Sequence, residues 1–381
     1  CHPLGCRAAV QQQIGRVRAA GTFAGPKRVL VIGASSGFGL ASRIALTFGA
    51  GADTIGISFE RGPSDKGLGS AGWYNNIWFR EAAEQEGRVA INLLGDAFSN
   101  PMREQAIAAV RQHLGQVDLV VYSLASGLRV LADGTQVRST LKTTGQPFTG
   151  LGYDIEHDAL VAQTLPVASE QEIRDTVTVM GGEDWQVWMQ ALQQADCLAP
   201  GAQTVAYSYI GPELTYPIYR DGTIGYAKAH LHAAADTINL QLAGMGGHAW
   251  VAVCKALVTK ASAFIPVLPV YLAMLMQEMK ARGTHEGCIE QMQRLFSDKM
   301  YGDRGVVADG ERLIRMDDYE LDPALQAVVA ERWSHLSPVT FRQLGDIAGL
   351  RQEFMALNGF GLAGMDYQAE VSLEMLQTLR P

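Results

Sequence analysis

The stretch Arg28-Val29-Leu30-Val31-Ile32-Gly33-Ala34-Ser35-Ser36-Gly37-Phe38-Gly39-Leu40 decides the fold. Its first five residues form a short run rich in β-branched apolar side chains without alternation, the pattern of a strand buried on both faces of a parallel sheet. Glycines follow at 33, 37 and 39, and a helical pattern continues through Leu40–Phe48. Glycines placed here let a turn tighten and let a pyrophosphate approach the backbone at a helix N-terminus, where free N–H groups and the helix dipole favour an anion. The Gly-x3-Gly-x-Gly spacing is weak evidence by itself; its place between a first strand and a first helix carries the nucleotide-binding reading. Gly33, Ala34, Ser35, Ser36, Gly37 and Phe38 are the candidate contacts.

Outward from this unit, Thr54–Phe59, Arg88–Asn92 and Val117–Tyr122 repeat the strand pattern, each followed by a helix-like stretch. That alternation predicts an α/β chain of the Rossmann type, a doubly wound parallel sheet. After Ser126 the pattern lapses, and residues 127–166, with turns such as Ala132-Asp133-Gly134, read as a small strand-rich excursion beside the sheet on the substrate side. Ser169-Glu170-Gln171-Glu172 has capping-box spacing and starts a helix toward Met180, with another helix after Gly182. Thr204–Tyr207 and Ala249–Val253 read as further sheet strands. Residues 271–381 read as a mostly helical elaboration with a short strand around Gly310–Arg315. Without repeats, low-complexity tracts or a linker, residues 1–381 read as one elaborated domain.

Composition narrows the function. The net charge of −8 and the pI near 5.5 come without a basic run, which argues against a nucleic-acid partner and against an anionic membrane surface. Cys1, Cys6, Cys197, Cys254 and Cys288 are scattered, odd in number and without Cys-x2-Cys spacing, which suits reduced thiols rather than disulfides or zinc. No signal peptide opens the given sequence, so the expected location is cytoplasmic, or mitochondrial if the source is a eukaryote. Ala261–Met276 is largely apolar but carries Pro266 and Pro269 and falls short of the roughly 20 residues a membrane span needs. It reads as a buried helix, or as the lining of an apolar substrate pocket. His230 and His232, two apart on one helix, face differently, and His285-Glu286 lacks partners at ligand spacing, so no metal site is expected. The chain has no obvious apolar helix face for self-association and reads as a monomer.

Later strand ends supply more candidates. Phe59 and Glu60 close the second strand; an acidic side chain there accepts hydrogen bonds from adenosine ribose hydroxyls and repels a 2′-phosphate, favouring NADH over NADPH, although Arg61 offsets part of that repulsion. Asp96 and Ala97 after the third strand, and Leu124 and Ala125 after the fourth, stand where ligands of such sheets bind.

Tyr219 and Lys228 carry the candidate chemistry. Nine positions on one helix are about 900° of rotation and put two side chains on opposite faces. Tyr219 is therefore expected before the helix, with Asp221-Gly222 as the turn and Lys228 on an early turn of a helix running toward Leu240. A phenol is a poor proton donor or acceptor at neutral pH unless a nearby ammonium assists, and Lys228 would do so while holding ribose hydroxyls. On spacing alone, two unrelated surface residues are the better account.

These residues, together with Ala71-Gly72-Trp73-Tyr74-Asn75, Gly95-Asp96-Ala97-Phe98, Met180-Gly181-Gly182-Glu183-Asp184-Trp185, Tyr207-Ser208-Tyr209-Ile210-Gly211 and Gly283-Thr284-His285-Glu286-Gly287-Cys288, resemble the trans-2-enoyl-CoA reductase and enoyl-acyl-carrier-protein reductase family. This is the Tyr-x8-Lys branch of the short-chain dehydrogenase superfamily, and the resemblance runs to Gly359-Phe360-Gly361. It implies NADH as cofactor, an enoyl-CoA or enoyl-acyl-carrier-protein substrate, and hydride delivery to C3 of the enoyl thioester. It further implies Tyr219 as proton donor or enolate stabiliser, Lys228 as holder of the cofactor, Tyr209 as a contact of the thioester, and Leu257, Val258 and Thr259 at the nicotinamide end. The sequence departs from the family pattern at Tyr216, Tyr226 and Gly127, where tryptophan, a charged residue and proline are expected, departures that bear on chain-length preference and rate. Two alternatives stay open: a carbonyl reductase, which calls for Tyr-x3-Lys spacing and a catalytic serine on the preceding strand, neither of which is read in this sequence, and a nucleotide-binding sensor without turnover.

Overall fold

The computed structural model describes residues 1–65, 67–124, 126–155 and 157–381. In chain order, strands β1 (Arg28–Ile32), β2 (Asp53–Ser58), β3 (Ala90–Leu94) and β4 (Val117–Tyr122) come first. Two antiparallel hairpins follow, β5 (Leu128–Val130) with β6 (Gln136–Arg138) and β7 (Phe148–Asp154) with β8 (Ala159–Leu165). Strands β9 (Leu198–Ser208), β10 (His248–Val253) and β11 (Leu313–Arg315) then complete a seven-stranded parallel sheet of order β11-β10-β9-β4-β1-β2-β3. The order reverses between β1 and β4, and the register pairs Ile32 with Tyr122 and with Ile57, so the strand ends meet at one crevice.

The helices are α1 (Pro3–Ala20), α2 (Gly37–Ala50), α3 (Ala71–Gln85), α4 (Asn100–His113), α5 (Glu170–Met180), α6 (Glu183–Gln194), α7 (Tyr216–Tyr219) and α8 (Thr223–Leu242). The C-terminal part adds α9 (Leu268–Arg282), α10 (Cys288–Arg294), α11 (Pro323–Ser334), α12 (Phe341–Leu344), α13 (Ile347–Ala356) and α14 (Leu373–Thr378). Successive side chains of a strand face opposite ways. Val29 and Val31 accordingly pack with α1, α2, α3 and α10, while Leu30 and Ile32 pack with α4, α6 and α8. A third apolar cluster joins the β7–β8 hairpin and α7 to α9, α11 and α13. None of the described helices is long and apolar enough to cross a membrane, and all five cysteines are unpaired.

The capping box forms as read: Ser169 Oγ accepts from Glu172 N at 3.2 Å and Ser169 N donates to Glu172 Oε2 at 2.9 Å. Other boundaries move for local reasons. β3 starts at Ala90 because Gly87, in the left-handed region at φ 70°, first closes α3, with Arg88 N donating to Ala83 O. β9 begins at Leu198 rather than Thr204; its register against β4 shifts between Val117 and Leu119, a bulge that lets Pro200 and Gly201 stay in the strand. The helix expected across Ala261–Met276 starts only at Leu268, since Ile265 lies before Pro266 and is extended (φ −81°, ψ 123°).

Candidate active site

A cavity of about 630 Å³ opens at the carboxyl ends of β1, β4 and β9. On one side is the glycine turn. Gly33 has φ 89°, and a Cβ there would sit 2.1 Å from Ser123 O; a Cβ on Gly39 would sit 1.8 Å from Gly33 O, so turn and helix close only with glycine. The amides of Gly33 and Ala34 are both bound to Ile57 O at 2.9 Å, and Ala34 is buried behind the turn. Ser35, Ser36, Gly37 and Phe38 line the cavity, and α2 starts with no side-chain cap from Ser36, leaving its first amides for an anion.

Glu60 stands two residues beyond the end of β2, beside the exposed ring of Phe59, and both line the cavity. Ser35 Oγ donates to Glu60 Oε1 at 2.5 Å and Ser70 Oγ donates to Oε2. The start of α3 is shaped around this carboxylate: a Cβ on Gly72 would lie 2.0 Å from Glu60 Oε1, and Asn75 Nδ2 donates to Ser35 O at 2.9 Å. We expect Gly72→Ala to displace Glu60 and weaken NADH binding about tenfold, the worth of one charge-assisted hydrogen bond. Folding stability should hold, because alanine is the better helix residue. Calorimetric titration with thermal unfolding checks both, and unchanged affinity would refute the link.

Asp96, Ala97 and Leu124 line the far side of the cavity. Ala125 lies outside the described residues. This side is stiffened by the Met180–Trp185 segment. Asp184 pairs with Arg103 and accepts from Tyr122 OH at 3.0 Å, all in the buried interior, and Trp188 Nε1 donates to Ala97 O at 3.1 Å. Gly182 lets α6 meet α8, since its Cβ would fall 2.2 Å from that of Ala234.

The reactive side comes from β9 and α8. Tyr219 ends the short α7, Asp221 and Gly222 turn the chain, and Lys228 projects from an early turn of α8. Gly225 permits this approach: a Cβ would lie 2.1 Å from Arg220 O. Lys228 lines the cavity with Nζ donating to Tyr207 O at 3.1 Å, and burial pulls its ammonium down to about 8. Tyr209 lines the cavity as well. Tyr219 is one layer behind, its ring edge-on to Tyr209 at 4.6 Å and 81°, and its hydroxyl has no hydrogen bond to the described residues. Burial, then the charge of Glu320, push the Tyr219 pKa upward. Of the last trio, Thr259 lines the cavity while Leu257 and Val258 are packed into the interior.

Some contributors escape sequence reasoning. Ser208 ends the strand preceding the tyrosine and lines the cavity, contrary to the expectation of no serine there; its Oγ lies 2.8 Å from His232 Nε2. His230 instead accepts from Gly182 N at 3.0 Å through Nδ1, so the two histidines do face apart. His285 pairs with Glu353 at 2.9 Å, and among the described residues no group of three or more His, Cys, Asp or Glu is placed to hold a metal ion. Glu320, in the chain between β11 and α11, accepts from Tyr209 OH, Tyr271 OH and Ala256 N. Nothing in Asp317-Asp318-Tyr319-Glu320 marks that one acid from its neighbours.

A parallel sheet with this switch point, and a glycine turn, an acid and a lysine around one cavity with a tyrosine packed just behind it, define a nicotinamide-dependent reductase of the Rossmann type. Residues 67–301 match the model of the trans-2-enoyl-CoA reductase catalytic region and residues 1–65 that of the NAD(P)H binding domain of trans-2-enoyl-CoA reductase. The chain belongs to the trans-2-enoyl-CoA reductase family. It is 53% identical to an enoyl-[acyl-carrier-protein] reductase [NADH] 2 of Vibrio vulnificus, covering 100% of this chain and 96% of that protein. A Photobacterium profundum protein of the same name is 55% identical, over 99% and 96% of the two chains. The crystal structure of a Clostridium acetobutulicum trans-2-enoyl-CoA reductase in complex with NADH superposes with a TM-score of 0.98 at 47% identity, covering 100% of this chain and 96% of that one.

Residues 308–371 match a model described as an enoyl reductase FAD binding domain. None of them lines the cavity, and Glu320, which reaches Tyr209 from this stretch, is fully buried. The stretch does not fit a flavin here.

Proposed function

We propose that the chain catalyses NADH-dependent reduction of the trans-2 double bond of a fatty enoyl thioester, carried on CoA or acyl carrier protein, to the saturated acyl thioester. The observation that carries this reading is the meeting of glycine turn, Glu60, Lys228 and Tyr209 around one cavity, with the protonated Tyr219 packed edge-on behind. When bound, NADH supplies the hydride that adds to C3 of the substrate. Glu60 holds the adenosine ribose, the start of α2 holds the pyrophosphate, and Lys228 holds the nicotinamide ribose. Tyr219, just behind the ring of Tyr209 at the cavity wall, would stabilise the enolate charge through its O–H and pass its proton toward C2. Burial keeps the Tyr219 phenol protonated, so its O–H is present to hydrogen-bond the enolate oxygen. The apolar α9, with Met274, Met276 and Met279 buried, covers the acyl chain.

The test is substrate-stimulated loss of NADH absorbance with crotonyl-CoA, a longer 2-enoyl-CoA and a 2-enoyl-acyl carrier protein. NADH binding without turnover of any of them would leave only the sensor alternative, and turnover of a ketone instead would favour carbonyl reduction. The Tyr219–Lys228 spacing counts against the latter. We read residues 1–381 as one domain, because Glu320 from the C-terminal part reaches Tyr209 at the end of β9. The monomeric state, to be checked by sedimentation, and a bacterial cytoplasmic location complete the reading.

A pH dependence follows from Lys228. Its pKa is depressed to about 8, so the ammonium that holds ribose is present below that pH and lost above it. We expect kcat/KM for NADH to fall with rising pH through a one-proton step near 8, moving up as cofactor saturates. Tyr219, shifted upward, keeps its proton and adds no second step. A flat profile to about pH 9.5 would refute the assignment.

A further inference from the structure

The geometry points to Glu320 as a positioning residue of this reaction: its buried carboxylate accepts the hydrogen bond of the Tyr209 hydroxyl and leaves Tyr219 as the phenol free to donate to substrate. The inference rests on Tyr219 being the donor, as proposed above.

Glu320 is fully buried, and three elements around the active site converge on it. Oε1 accepts from Tyr209 OH at 2.8 Å, at the end of β9, and from Tyr271 OH at 2.6 Å, on α9. Oε2 accepts from Ala256 N at 2.7 Å, just past β10. Gln326 steadies the group, Nε2 donating to Glu320 O at 2.6 Å and to Tyr271 OH at 3.1 Å. The nearby Lys255 ammonium, also buried, donates to Ala256 O at 2.9 Å and supplies countercharge. A buried carboxylate is tolerated only when bonded in this complete way.

A tyrosine has one O–H. With that O–H donating to Glu320, Tyr209 can offer the cavity only lone pairs, which repel the oxygen of a developing enolate rather than stabilise it. The Tyr219 hydroxyl carries no such commitment. The edge-on contact at 4.6 Å also makes the pose of Tyr219 depend on that of Tyr209, so one carboxylate sets both the roles and the orientation of the two phenols. Tyr209 is thus a scaffold against which the donor is held, not itself the donor to the thioester.

The test compares Glu320→Gln and Glu320→Asp, each alone and combined with Tyr209→Phe, in NADH consumption with crotonyl-CoA, NADH affinity and thermal unfolding. The amide removes the charge and can turn an NH2 toward the phenols; the shorter acid keeps the charge but cannot span all three donors. Both should lower kcat about tenfold or more, with NADH affinity within about twofold of the parent. With Tyr209→Phe already present, loss of Glu320 should cost less than about twofold, because the Tyr209 hydroxyl, the one phenol whose commitment bears on the donor, is no longer there for it to hold. Full kcat in both single variants, or losses that multiply with Tyr209→Phe, would overturn the inference. If Glu320→Gln does not fold, Glu320→Asp, which preserves the balance with Lys255, decides alone. Full activity of Tyr219→Phe would instead sink the donor assignment beneath it, a separate failure.

Discussion

Tyr219→Phe should lower kcat for 2-enoyl thioester reduction by about 10²- to 10⁴-fold, the usual worth of a positioned proton donor, with NADH binding unchanged. The hydroxyl bonds to none of the described residues, so its removal strands no buried polar group, and phenylalanine keeps the edge-on contact with the ring of Tyr209. The substitution therefore acts on the chemistry and leaves the packing intact. Tyr219 is also outside the cofactor cavity, which is why affinity for NADH should not follow kcat. Steady-state rates beside direct NADH titration read both. A variant within about threefold of the parent kcat would move the donor role elsewhere, with Tyr209 the next residue to test.

Glu60→Gln should raise kcat/KM with NADPH about 10- to 100-fold while changing that with NADH far less. Two unit charges 4 Å apart repel by about 1 kcal/mol in water and about 4 kcal/mol at an effective dielectric near 20. Glu60 is half-buried at the cavity edge and falls between those limits. An amide there keeps an oxygen to accept from the Ser35 hydroxyl and loses the charge that opposes a 2′-phosphate. Arg61 next in sequence is then free to attract it. Parallel kinetics with the two cofactors check the expectation. An unchanged cofactor preference would mean that the shape of the site, not the charge of Glu60, selects NADH.

Much of this molecule is visible in one dimension because its signals are local. The apolar run at 28–32, the glycines at 33, 37 and 39 and the capping box at 169–172 each specify backbone geometry within a few residues, and each appears where the pattern places it. The helical rotation argument likewise separates Tyr219 from the helix bearing Lys228 without any tertiary information. The long words resembling the reductase family extend this to cofactor and reaction. Gly72, Gly182 and Gly225 stand in or beside such words, but what each glycine makes room for, a carboxylate, a neighbouring helix and a carbonyl, is visible only in space.

Other features depend on contacts between distant segments. The bulge that keeps Pro200 within β9 exists because β4 shifts beside it. Ser208 meets His232 because a strand end and a helix face happen to pack together. Glu320 is one acid in an acidic run, and its burial against Tyr209 and Tyr271 follows from how the chain after β11 meets the segments just past β9 and β10 and α9. The sequence by itself determined the strand and helix alternation and the nucleotide turn, since backbone propensity and periodicity are short-range, while Tyr219 and Lys228 were marked only by resemblance to the family. Only the tertiary structure decided which phenol has a free proton, because hydrogen-bond commitment depends on which groups, far apart in the chain, share the same few cubic ångströms of dry interior.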